Sequence, residues 1–520
     1  MSLDETQQPL FDLLVIGGGI NGVGVARDAA GRGMQVYLCE KDDLAQHTSS
    51  ASTKLIHGGL RYLEYYDFKL VRHALQEREV LLRTAPHIIH PMRFILPHHQ
   101  ALRPKWMIRI GLFLYDHLGG RKLLPSSNGV DLRRHPAGAA LKSSYRAGFE
   151  YSDCWVHDAR LVVLSARDAQ LRGATVKTHT RCISLARHPS HWEATLRDER
   201  NGVVTRVQAR AVVNAAGPWV EQVLASGVAV GRTKGVRFVK GSHIVVPKLF
   251  DHEYAYIFQH ADGRVLFAIP FEQDYTLLGT TDIELASLPD KSEITPDEVE
   301  YICQAVSEYF SKPVRSADVV WSFSGVRPLY DDAASNASKV TRDYNLHLDR
   351  GHLDREQAPI LSIFGGKITT YRKLAEEVLD LLSGCLPIEG GAWTAESNLP
   401  GGDMADADFR HFLAMAQKRY PELPEALIAH YVGHYGTDLH LLLAGCRQLI
   451  DLGLHFGNQL YEQEVRYLMR YEFAESAEDV VWRRTKQGMG MTPEQIAALD
   501  EWMQTDHSPQ SETGPDVHHG

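Results

Sequence analysis

The chain has little cysteine, no long apolar run and no excess of positive charge. Its 520 residues contain six cysteines, scattered without a CxxC pair. Neither a disulfide framework nor a cysteine-ligated metal centre is therefore predicted, and the pattern fits a reducing compartment. No stretch approaches the roughly 18–20 apolar residues that span a bilayer. Met1–Asp12 has no arginine, which argues against a secretory signal or a transit peptide.

Acidic residues outnumber basic ones, 65 to 55, and the formal net charge is −10. This balance argues against a general nucleic-acid binder, so no nucleic-acid partner is predicted. Hydrophobic residues make up 44% of the chain, and its length predicts several domains of roughly 150 residues. HExxH is absent, and the paired histidines have no carboxylate or cysteine at ligand spacing, so no metal is predicted.

The N-terminal segment has the pattern of a dinucleotide-binding βαβ unit. A short apolar strand, Leu13–Ile16, precedes a glycine-rich turn, a helix and a second strand that ends at Glu40. Gly17 allows a tight turn, Gly19 lets a pyrophosphate approach the backbone, and Gly22 lets helix and strand pack closely. The helix N-terminus is expected to face the phosphates, and Glu40 is placed to bind a ribose hydroxyl.

The pattern changes along the rest of the chain. Short strands separated by turns over about 150–330 indicate an antiparallel sheet that carries a substrate site. Ala211–Gly217 predicts a buried strand that ends in small residues, where the backbone approaches a cofactor. Ile360–Phe364, followed by two glycines and a helix, repeats the strand–glycine–helix arrangement. The polar stretch 330–358 predicts surface loops, and the sequence after 402 predicts helices only.

Four motifs and one later run stand out together. They are Gly17–Gly24 with Ala29–Gly33, Thr48–Glu64, Ser324–Leu329, Phe364–Ala375 and, near the C-terminus, Trp482–Gly488. In combination they resemble one family, the FAD-dependent, membrane-associated glycerol-3-phosphate dehydrogenases of the aerobic bacterial type. The resemblance extends over about 11–503, nearly the whole chain.

The resemblance implies an α/β fold with three parts. These are a Rossmann-like FAD-binding domain of the glutathione-reductase and amino-acid-oxidase type, an inserted antiparallel-sheet substrate domain and an all-α C-terminal domain. The expected limits, within 11–400, are about 11–90, 150–235 and 318–388 for the FAD-binding domain and about 91–149 and 236–317 for the substrate inserts. The helical domain is expected over 401–503 and a disordered tail over 504–520.

The resemblance also implies a reaction. It is the oxidation of sn-glycerol 3-phosphate to dihydroxyacetone phosphate by hydride transfer to FAD, with electrons passed to a membrane quinone, ubiquinone or menaquinone. Three alternatives stay open: a glycerol-3-phosphate oxidase that makes hydrogen peroxide, an amine or amino-acid oxidase, and a non-catalytic flavin-binding assembly protein. The expected location is cytoplasmic, peripheral on the inner face of the cytoplasmic membrane, and homodimer formation is left open.

The motifs supply the expected site residues. The family places Arg327 and Lys367 beside the flavin, while Arg61 is expected to anchor the phosphate. His57 is the candidate base because imidazole titrates near neutral pH, although it fits equally well a role in binding the flavin or orienting Arg61.

The expected catalytic residues are His57, Arg327 and Lys367. The expected substrate-binding residues are Arg61, Tyr62, His243, Thr281, Arg327 and Lys367. The expected cofactor-binding residues are Gly17, Gly19, Ile20, Asn21, Gly22, Glu40, Ser49, Ser52, Lys54, Ala216, Gly217, Gly366 and Thr369.

One stretch departs from the acidic average. Between Met92 and Lys122 lie six basic residues and one acidic residue, a formal charge of +5. Within it, Trp106–Tyr115 is apolar and aromatic and too short to span a bilayer. It predicts either a helix in the headgroup region of anionic lipid or a core helix with solvated ends. The quinone that the resemblance implies favours the membrane.

Overall fold

The structure, a computed structural model, describes residues 9–100, 102–120, 123–227, 235–260, 263–330, 344–351 and 357–506. They form two compact units, of which the first ends at Phe409 and the second begins at Arg410. The strands of the first unit are β1 (Leu10–Ile16), β2 (Val36–Cys39), β3 (Leu55–Ile56), β4 (Ile89–Pro97), β5 (Asn128–Asp131), β6 (Ala147–Val156), β7 (Thr175–Lys177), β8 (Thr180–Arg187), β9 (Trp192–Asp198), β10 (Val204–Asn214), β11 (Val236–Pro247), β12 (Ala255–Gln259), β13 (Val265–Phe271), β14 (Tyr275–Gly279), β15 (Ile283–Leu285), β16 (Trp321–Tyr330), β17 (Asn345–Asp349) and β18 (Ile360–Phe364). Its helices are α1 (Ile20–Gly31), α2 (Phe68–Thr84), α3 (Lys105–Leu118), α4 (Asp158–Leu171), α5 (Val220–Ala225), α6 (Pro296–Ser307) and α7 (Tyr371–Leu382).

The first sheet is built on parallel strands. Its order among the described residues is β17–β18–β10–β1–β2–β7, with β9 added to β10 and β8 to β9. β1 pairs in parallel with β2 and β10, and β10 with β18. The carboxyl ends of parallel strands meet at one edge, so the turns after β1, β2, β10 and β18 converge there. This edge is where an α/β sheet binds a nucleotide.

Helix α1 packs on this sheet at very short range. It lies against α4 and α7 and is rich in glycine and alanine. A Cβ atom on Gly22 would lie 1.9 Å from the Gly17 carbonyl oxygen, so only glycine fits there. Gly17 itself has φ of +114°, a backbone conformation that side chains disfavour. The βαβ unit predicted from the sequence is therefore present, with glycines at the positions that packing requires.

The second sheet is mixed and mostly antiparallel. Its order is β15–β11–β14–β13–β12–β4–β6–β3, with β16 paired to β11 and β5 to β6; β4 and β12 pair in parallel. One face buries an apolar core against α6, in which Tyr256, Phe258 and Leu278 of the sheet meet Ile302 and Val306. The opposite side of this sheet is left to line a cavity.

Two parts of the first unit differ from the sequence expectation. β17 lies inside the polar stretch expected to form loops, because its backbone pairs antiparallel with β18. β6 and β16 belong to the second sheet although most of β6 and all of β16 lie in segments assigned to the FAD-binding domain. Sheet membership follows from hydrogen-bond partners far apart in sequence, which a local pattern does not reveal. The domain limits themselves stay a prediction.

The second unit is mainly helical, as predicted. Its helices are α8 (Phe409–Arg419), α9 (Glu425–Tyr435), α10 (Leu439–Leu442), α11 (Glu462–Tyr471) and α12 (Pro493–Asp506), with a π-helix over Asp479–Arg484. Two short strands, β19 (His455–Gly457) and β20 (Leu460–Tyr461), form a hairpin that the helix-only expectation missed. Residues 504–506 extend α12 rather than beginning a disordered tail, and 507–520 lie outside the described residues.

A buried ion pair ties the two sheets together. Lys54, immediately before β3 of the second sheet, places its Nζ 2.8 Å from Oδ1 of Asp158, the first residue of α4. Both side chains are fully buried. Lys54 Nζ also donates to the Ser50 carbonyl, and Ser52 Oγ donates to Asp158. Lys54 adopts φ of +60°, which is unfavourable for a side-chain residue, so the ion pair holds a strained backbone in place.

We predict that Lys54→Met destabilises the first unit strongly. The substitution keeps the side-chain length but leaves the Asp158 carboxylate buried and unpaired, which costs about 3–5 kcal/mol. Chemical denaturation with excess FAD measures the change. Arg133→Met, which removes an exposed pair with Asp131, is the matched control and should leave the midpoint unchanged. An unchanged midpoint for Lys54→Met would show that the pair does not hold the sheets.

Candidate functional site

The βαβ unit forms one wall of a cavity of 370 Å³, the βαβ cavity. Gly17 and Gly19 line it directly, so a ligand meets backbone without a side chain between. The α1 helix begins at Ile20, whose amide donates to Ser49 Oγ. Unpaired amides and the helix dipole at such a terminus favour a phosphate. Ala216 lies on the wall contributed by the end of β10.

Glu40 directly follows β2 and lies in the βαβ cavity. Its Oε2 accepts the Gly18 amide at 2.6 Å and its Oε1 accepts the Asp42 amide at 3.0 Å. Burial raises the pKa of this carboxyl group, while the two amides oppose the shift. The backbone therefore fixes the carboxylate at the position from which a ribose hydroxyl is expected to be bound.

An aromatic and cationic group closes the far end of the βαβ cavity. Lys41 Nζ lies 3.7 Å from the Trp219 ring centroid, and the His47 ring centroid lies 4.6 Å from the same ring. His47 Nε2 is 2.7 Å from Asp42 Oδ2, and this hydrogen bond lowers the pKa of Asp42 to about 2. These residues are not among those expected from the sequence. The position of Lys41 directly after Glu40 indicates that it lies near the cofactor. Its contact with Trp219 joins distant segments, so a local pattern does not predict it.

The second cavity, the central cavity, has a volume of 440 Å³ and adjoins the first. The two cavities share the wall formed by Ile20, Thr48, Ser49, Pro328, Gly365 and Gly366. Its other walls come from the inner side of the second sheet, from α3 and from the loop after β3. This cavity brings together most of the residues that were expected to act in catalysis or to bind the substrate, namely His57, Arg61, Tyr62, Arg327 and Lys367.

The carboxylates that line the central cavity are paired with arginines. Glu64 pairs with Arg103 at 3.4 Å, Asp153 with Arg78 at 2.8 Å and Asp282 with Arg327. Among the described residues, no carboxylate pairs with the two remaining cations of the cavity, which are Arg61 and Lys367. Two cations of the wall are therefore left without a carboxylate partner in the described part of the chain, a set that suits a phosphate dianion.

Lys367 is aimed into this cavity. Its Nζ is buried and has no hydrogen-bond partner among the described residues, and it lies 4.1 Å from the Tyr62 ring centroid. Burying an ammonium without a partner is costly, whereas the aromatic face compensates only in part. The group is thus prepared for an oxygen ligand from outside the chain.

His57 begins the loop that carries Arg61. Its backbone amide lies 3.3 Å from Thr369 Oγ1, and its side chain lines the central cavity. Thr369 and Gly366 belong to the segment after β18, so two distant motifs meet here. Asn21, also next to this segment, donates from Nδ2 to the Gly365 carbonyl at 3.0 Å.

Four of the expected site residues do not line either cavity. His243 is buried behind Thr53, with Nε2 3.0 Å from Thr53 Oγ1, and Thr281 Oγ1 donates to Glu298. Burial lowers the pKa of His243 well below its usual value, with Arg327 adding to the shift, so His243 is neutral. The other two are Lys54, which is held by Asp158, and Gly22, which serves packing.

Helix α3 separates the central cavity from solvent. Met107, Ile108 and Gly111 line the cavity, whereas Trp106 and Phe113 on the outer face are 63% and 55% exposed. The core-helix alternative is therefore wrong for this outer face.

Two of the six basic residues of the surrounding stretch, 121 and 122, lie outside the described residues. No helix within the described ranges combines the length and hydropathy needed to cross a membrane.

The residues of both cavities fit FAD. The glycine backbone and the helix terminus suit a pyrophosphate, and Glu40 suits a ribose. Gly365 and Gly366 leave room where the cavities join, and Ala216 leaves room within the βαβ cavity. A Cβ on Gly366 would lie 2.7 Å from Asn21 Nδ2, so the open backbone there is enforced. Cofactor contacts of the individual residues stay a prediction.

Two family models match the chain. One is described as FAD dependent oxidoreductase and covers residues 12–372, and the other is described as C-terminal domain of alpha-glycerophosphate oxidase and covers residues 392–505. The D-erythritol 1-phosphate dehydrogenase of Brucella abortus (strain 2308) is 51% identical, over 94% of this chain and 97% of that protein. The aerobic glycerol-3-phosphate dehydrogenase of Escherichia coli (strain K12) is 48% identical, over 95% and 97%.

A solved structure agrees with these relatives. The glycerol-3-phosphate dehydrogenase from Bacillus halodurans, complexed with FAD, superposes with a TM-score of 0.75 at 25% identity, covering 96% of this chain and 95% of that one. These matches confirm the predicted fold class and FAD as the cofactor. The chain belongs to the FAD-dependent oxidoreductases, in the family of the aerobic glycerol-3-phosphate dehydrogenases, as the resemblance of its motifs predicted.

Proposed function

We propose that this enzyme oxidises sn-glycerol 3-phosphate to dihydroxyacetone phosphate and passes the electrons to a membrane quinone. The observation that carries the proposal is the central cavity, which adjoins the βαβ cavity. It holds His57 and two cations that have no carboxylate partner among the residues described, Arg61 and Lys367. The identity of 48% to a relative named aerobic glycerol-3-phosphate dehydrogenase supports the same substrate. FAD, when bound, supplies the two-electron oxidising power.

The cations of the cavity account for phosphate binding. Arg61 presents a planar set of N–H donors that matches two phosphate oxygens, and Lys367 contributes a point charge. Arg327 shares one side of its guanidinium with Asp282, which leaves its remaining N–H groups for an oxygen of the substrate. A phosphate bound in this way fixes the distance from the anchor to the secondary hydroxyl.

Proton removal from the hydroxyl is assigned to His57. It lines the cavity, four residues before the phosphate anchor Arg61, and its backbone is held by Thr369. His243 is neutral and lies behind Thr53, so it acts on a substrate only through that side chain. The apolar walls, which include Leu96 and Phe267, limit water around the reacting carbon.

D-erythritol 1-phosphate is the second candidate substrate. The 51% identical relative from Brucella abortus carries that substrate in its name. This polyol phosphate has one more CHOH group than glycerol 3-phosphate, and the cavity of 440 Å³ offers space for it. The same phosphate anchor and the same base would serve both, so the choice depends on groups at the far end of the cavity.

A quinone acceptor and the inner face of the cytoplasmic membrane complete the proposal. The outer face of α3 exposes Trp106, Ile110 and Phe113, and its inner residues line the central cavity. Arg103 and Lys105 lie at its N-terminal end. Exposed aromatic and aliphatic groups beside cations suit the headgroup region of anionic lipid. An electron acceptor in the lipid would then reach the cavity along this helix.

Anaerobic bleaching of the flavin tests the reaction. We expect glycerol 3-phosphate to reduce the enzyme-bound flavin, which is seen as loss of its visible absorbance. D-erythritol 1-phosphate is tested at the same concentration. The ratio of the two rate constants assigns the substrate. Absence of bleaching by either compound would exclude the proposed oxidation. Turnover with a ubiquinone analogue, set against peroxide formed in air, separates a dehydrogenase from an oxidase.

We predict that Arg61→Ala raises KM for the polyol phosphate by at least about 100-fold. A charge-assisted hydrogen bond contributes about 1.5–3 kcal/mol, and two are lost from the phosphate. Flavin content per chain should stay at the wild-type value, since Arg61 does not line the βαβ cavity. Arg134→Ala, an exposed arginine away from both cavities, is the control. Equal KM values for the two variants would remove Arg61 from the anchor.

Liposome binding tests the membrane proposal. Replacing Trp106 and Phe113 together with alanine should weaken co-sedimentation with phosphatidylglycerol vesicles at low salt, because both side chains lose the apolar area that enters the interface. Leu171→Ala, which removes an exposed leucine elsewhere, is the control. Wild-type sedimentation of the double variant would show that α3 is not the docking helix.

A further inference from the structure

A buried chain of hydrogen bonds lies directly behind the loop that carries His57. Arg78 on α2 donates from Nη1 to Asp153 Oδ1 at 2.8 Å, and Tyr115 on α3 donates its hydroxyl to the same carboxylate at 2.7 Å. The Gly58 amide then donates to Tyr115 Oη at 2.8 Å. All four residues are buried, and Asp153 also lines the central cavity. Neither the substrate nor the cofactor proposal gives Tyr115 a role.

The direction of these hydrogen bonds is fixed. Burial raises the pKa of Tyr115 well above its usual value, and the adjacent Asp153 adds to this, so the hydroxyl remains protonated. Arg78 pairs with Asp153, which accepts from Arg78, from the Tyr115 hydroxyl and, at 3.4 Å, from the Gly58 amide. The Tyr115 proton therefore points at Asp153, and a lone pair of Oη points at the Gly58 amide.

The backbone next to Gly58 needs such an anchor. Gly58 and Gly59 are consecutive glycines, which have more backbone freedom than any other residue pair. Side chains are excluded at both positions: a Cβ on Gly58 would lie 2.4 Å from Leu75, and Gly59 has φ of +73°. The chain cannot gain rigidity here from bulkier residues, so it depends on the hydrogen bonds of the Gly58 amide, a short one to Tyr115 Oη at 2.8 Å and a longer one to Asp153 Oδ1 at 3.4 Å.

The backbone conformation of the glycine pair sets the relative positions of the functional residues on its two sides. His57 precedes it, with its amide at Thr369 Oγ1. A 3-10 helix over Leu60–Tyr65 follows it and carries Arg61 and Tyr62, whose ring lies against Lys367 Nζ. A rotation at the pair would move the base candidate and the phosphate anchor relative to each other.

We infer that Tyr115, oriented by Asp153 and Arg78, is a positioning residue. It holds His57 and Arg61 at the relative positions that oxidation of the polyol phosphate requires. The inference rests on the proposed function. Tyr115 acts through the Gly58 amide and touches no reacting atom. A misplacement of about 1 Å at a reacting group lowers rates by about 100-fold, so loss of one hydrogen bond here has a catalytic effect.

The test compares Tyr115→Phe with Tyr256→Phe, both as FAD-loaded full-length enzyme. Tyr256 is a matched control because it is buried and donates its hydroxyl to the Ala137 carbonyl, yet lies in the apolar core away from the central cavity. For each protein we would measure kcat and KM per bound flavin, the melting temperature, and the dissociation constant of inorganic phosphate from the perturbation of the flavin spectrum.

For Tyr115→Phe we expect kcat/KM per bound flavin to fall by about 10- to 100-fold. The affinity for inorganic phosphate should weaken by about tenfold, because Arg61 moves away from the position at which it binds the phosphate. Tyr256→Phe should change the melting temperature by a similar amount while keeping wild-type kinetics and phosphate affinity. Asp153→Asn, which retains the shape but holds the Tyr115 hydroxyl less firmly, should lower kcat per bound flavin to a smaller extent and decides the matter if Tyr115→Phe does not fold. For this variant kcat alone is compared, because the substitution also removes a negative charge from the wall of the central cavity.

Wild-type kinetics and wild-type phosphate affinity in Tyr115→Phe overturn the inference, as does an equal loss in Tyr256→Phe. Failure of the proposed function has a different signature. In that case the wild-type flavin is not reduced by any polyol phosphate, while the phosphate titration still reports whether Tyr115 holds the anion-binding residues in place.

Discussion

The Lys54–Asp158 ion pair is the contact on which both cavities depend. It joins the start of β3, in the second sheet, to the first residue of α4, which packs with α1 under the first sheet. The segment between the βαβ unit and β3 supplies Thr48 and Ser49 to the shared wall and leads directly to His57. Because the pair is fully buried, its two charges are stable only together, and the loop is fixed with them.

Charge pairing within the described ranges leaves two cations of the central cavity without a carboxylate partner. Three carboxylates line it, yet each is neutralised by an arginine, so the excess charge resides on Arg61 and Lys367. The net charge of −10 for the whole chain gives no indication of this local excess. In the proposed function these two cations attract the phosphate dianion, and the apolar remainder of the wall lies beside the uncharged polyol chain.

Helix α3 has three faces with different surroundings. Its exposed side carries Trp106, Ile110 and Phe113, another side lines the central cavity, and Tyr115 on the buried side reaches the Gly58 amide. A helix of 14 residues can serve all three because side chains at successive positions project about 100° apart. The sequence pattern of this segment is correspondingly mixed, which is why it did not distinguish an interfacial helix from a core helix.

The sequence by itself determined the βαβ unit, because glycine spacing and local hydrophobic period report local backbone geometry. The resemblance of its combined motifs identified the FAD family and the segments that supply Arg61, Arg327 and Lys367. It also placed the helical second unit, although not the β19–β20 hairpin. The tertiary structure alone decided which of these residues share a cavity. It showed that Lys54 serves an ion pair, that His243 lies behind Thr53, and that Asp153 and Tyr115 support the Gly58 backbone. Such pairings join residues 57 to 190 positions apart, and burial and hydrogen bonding between distant segments leave no periodic signal in a single chain.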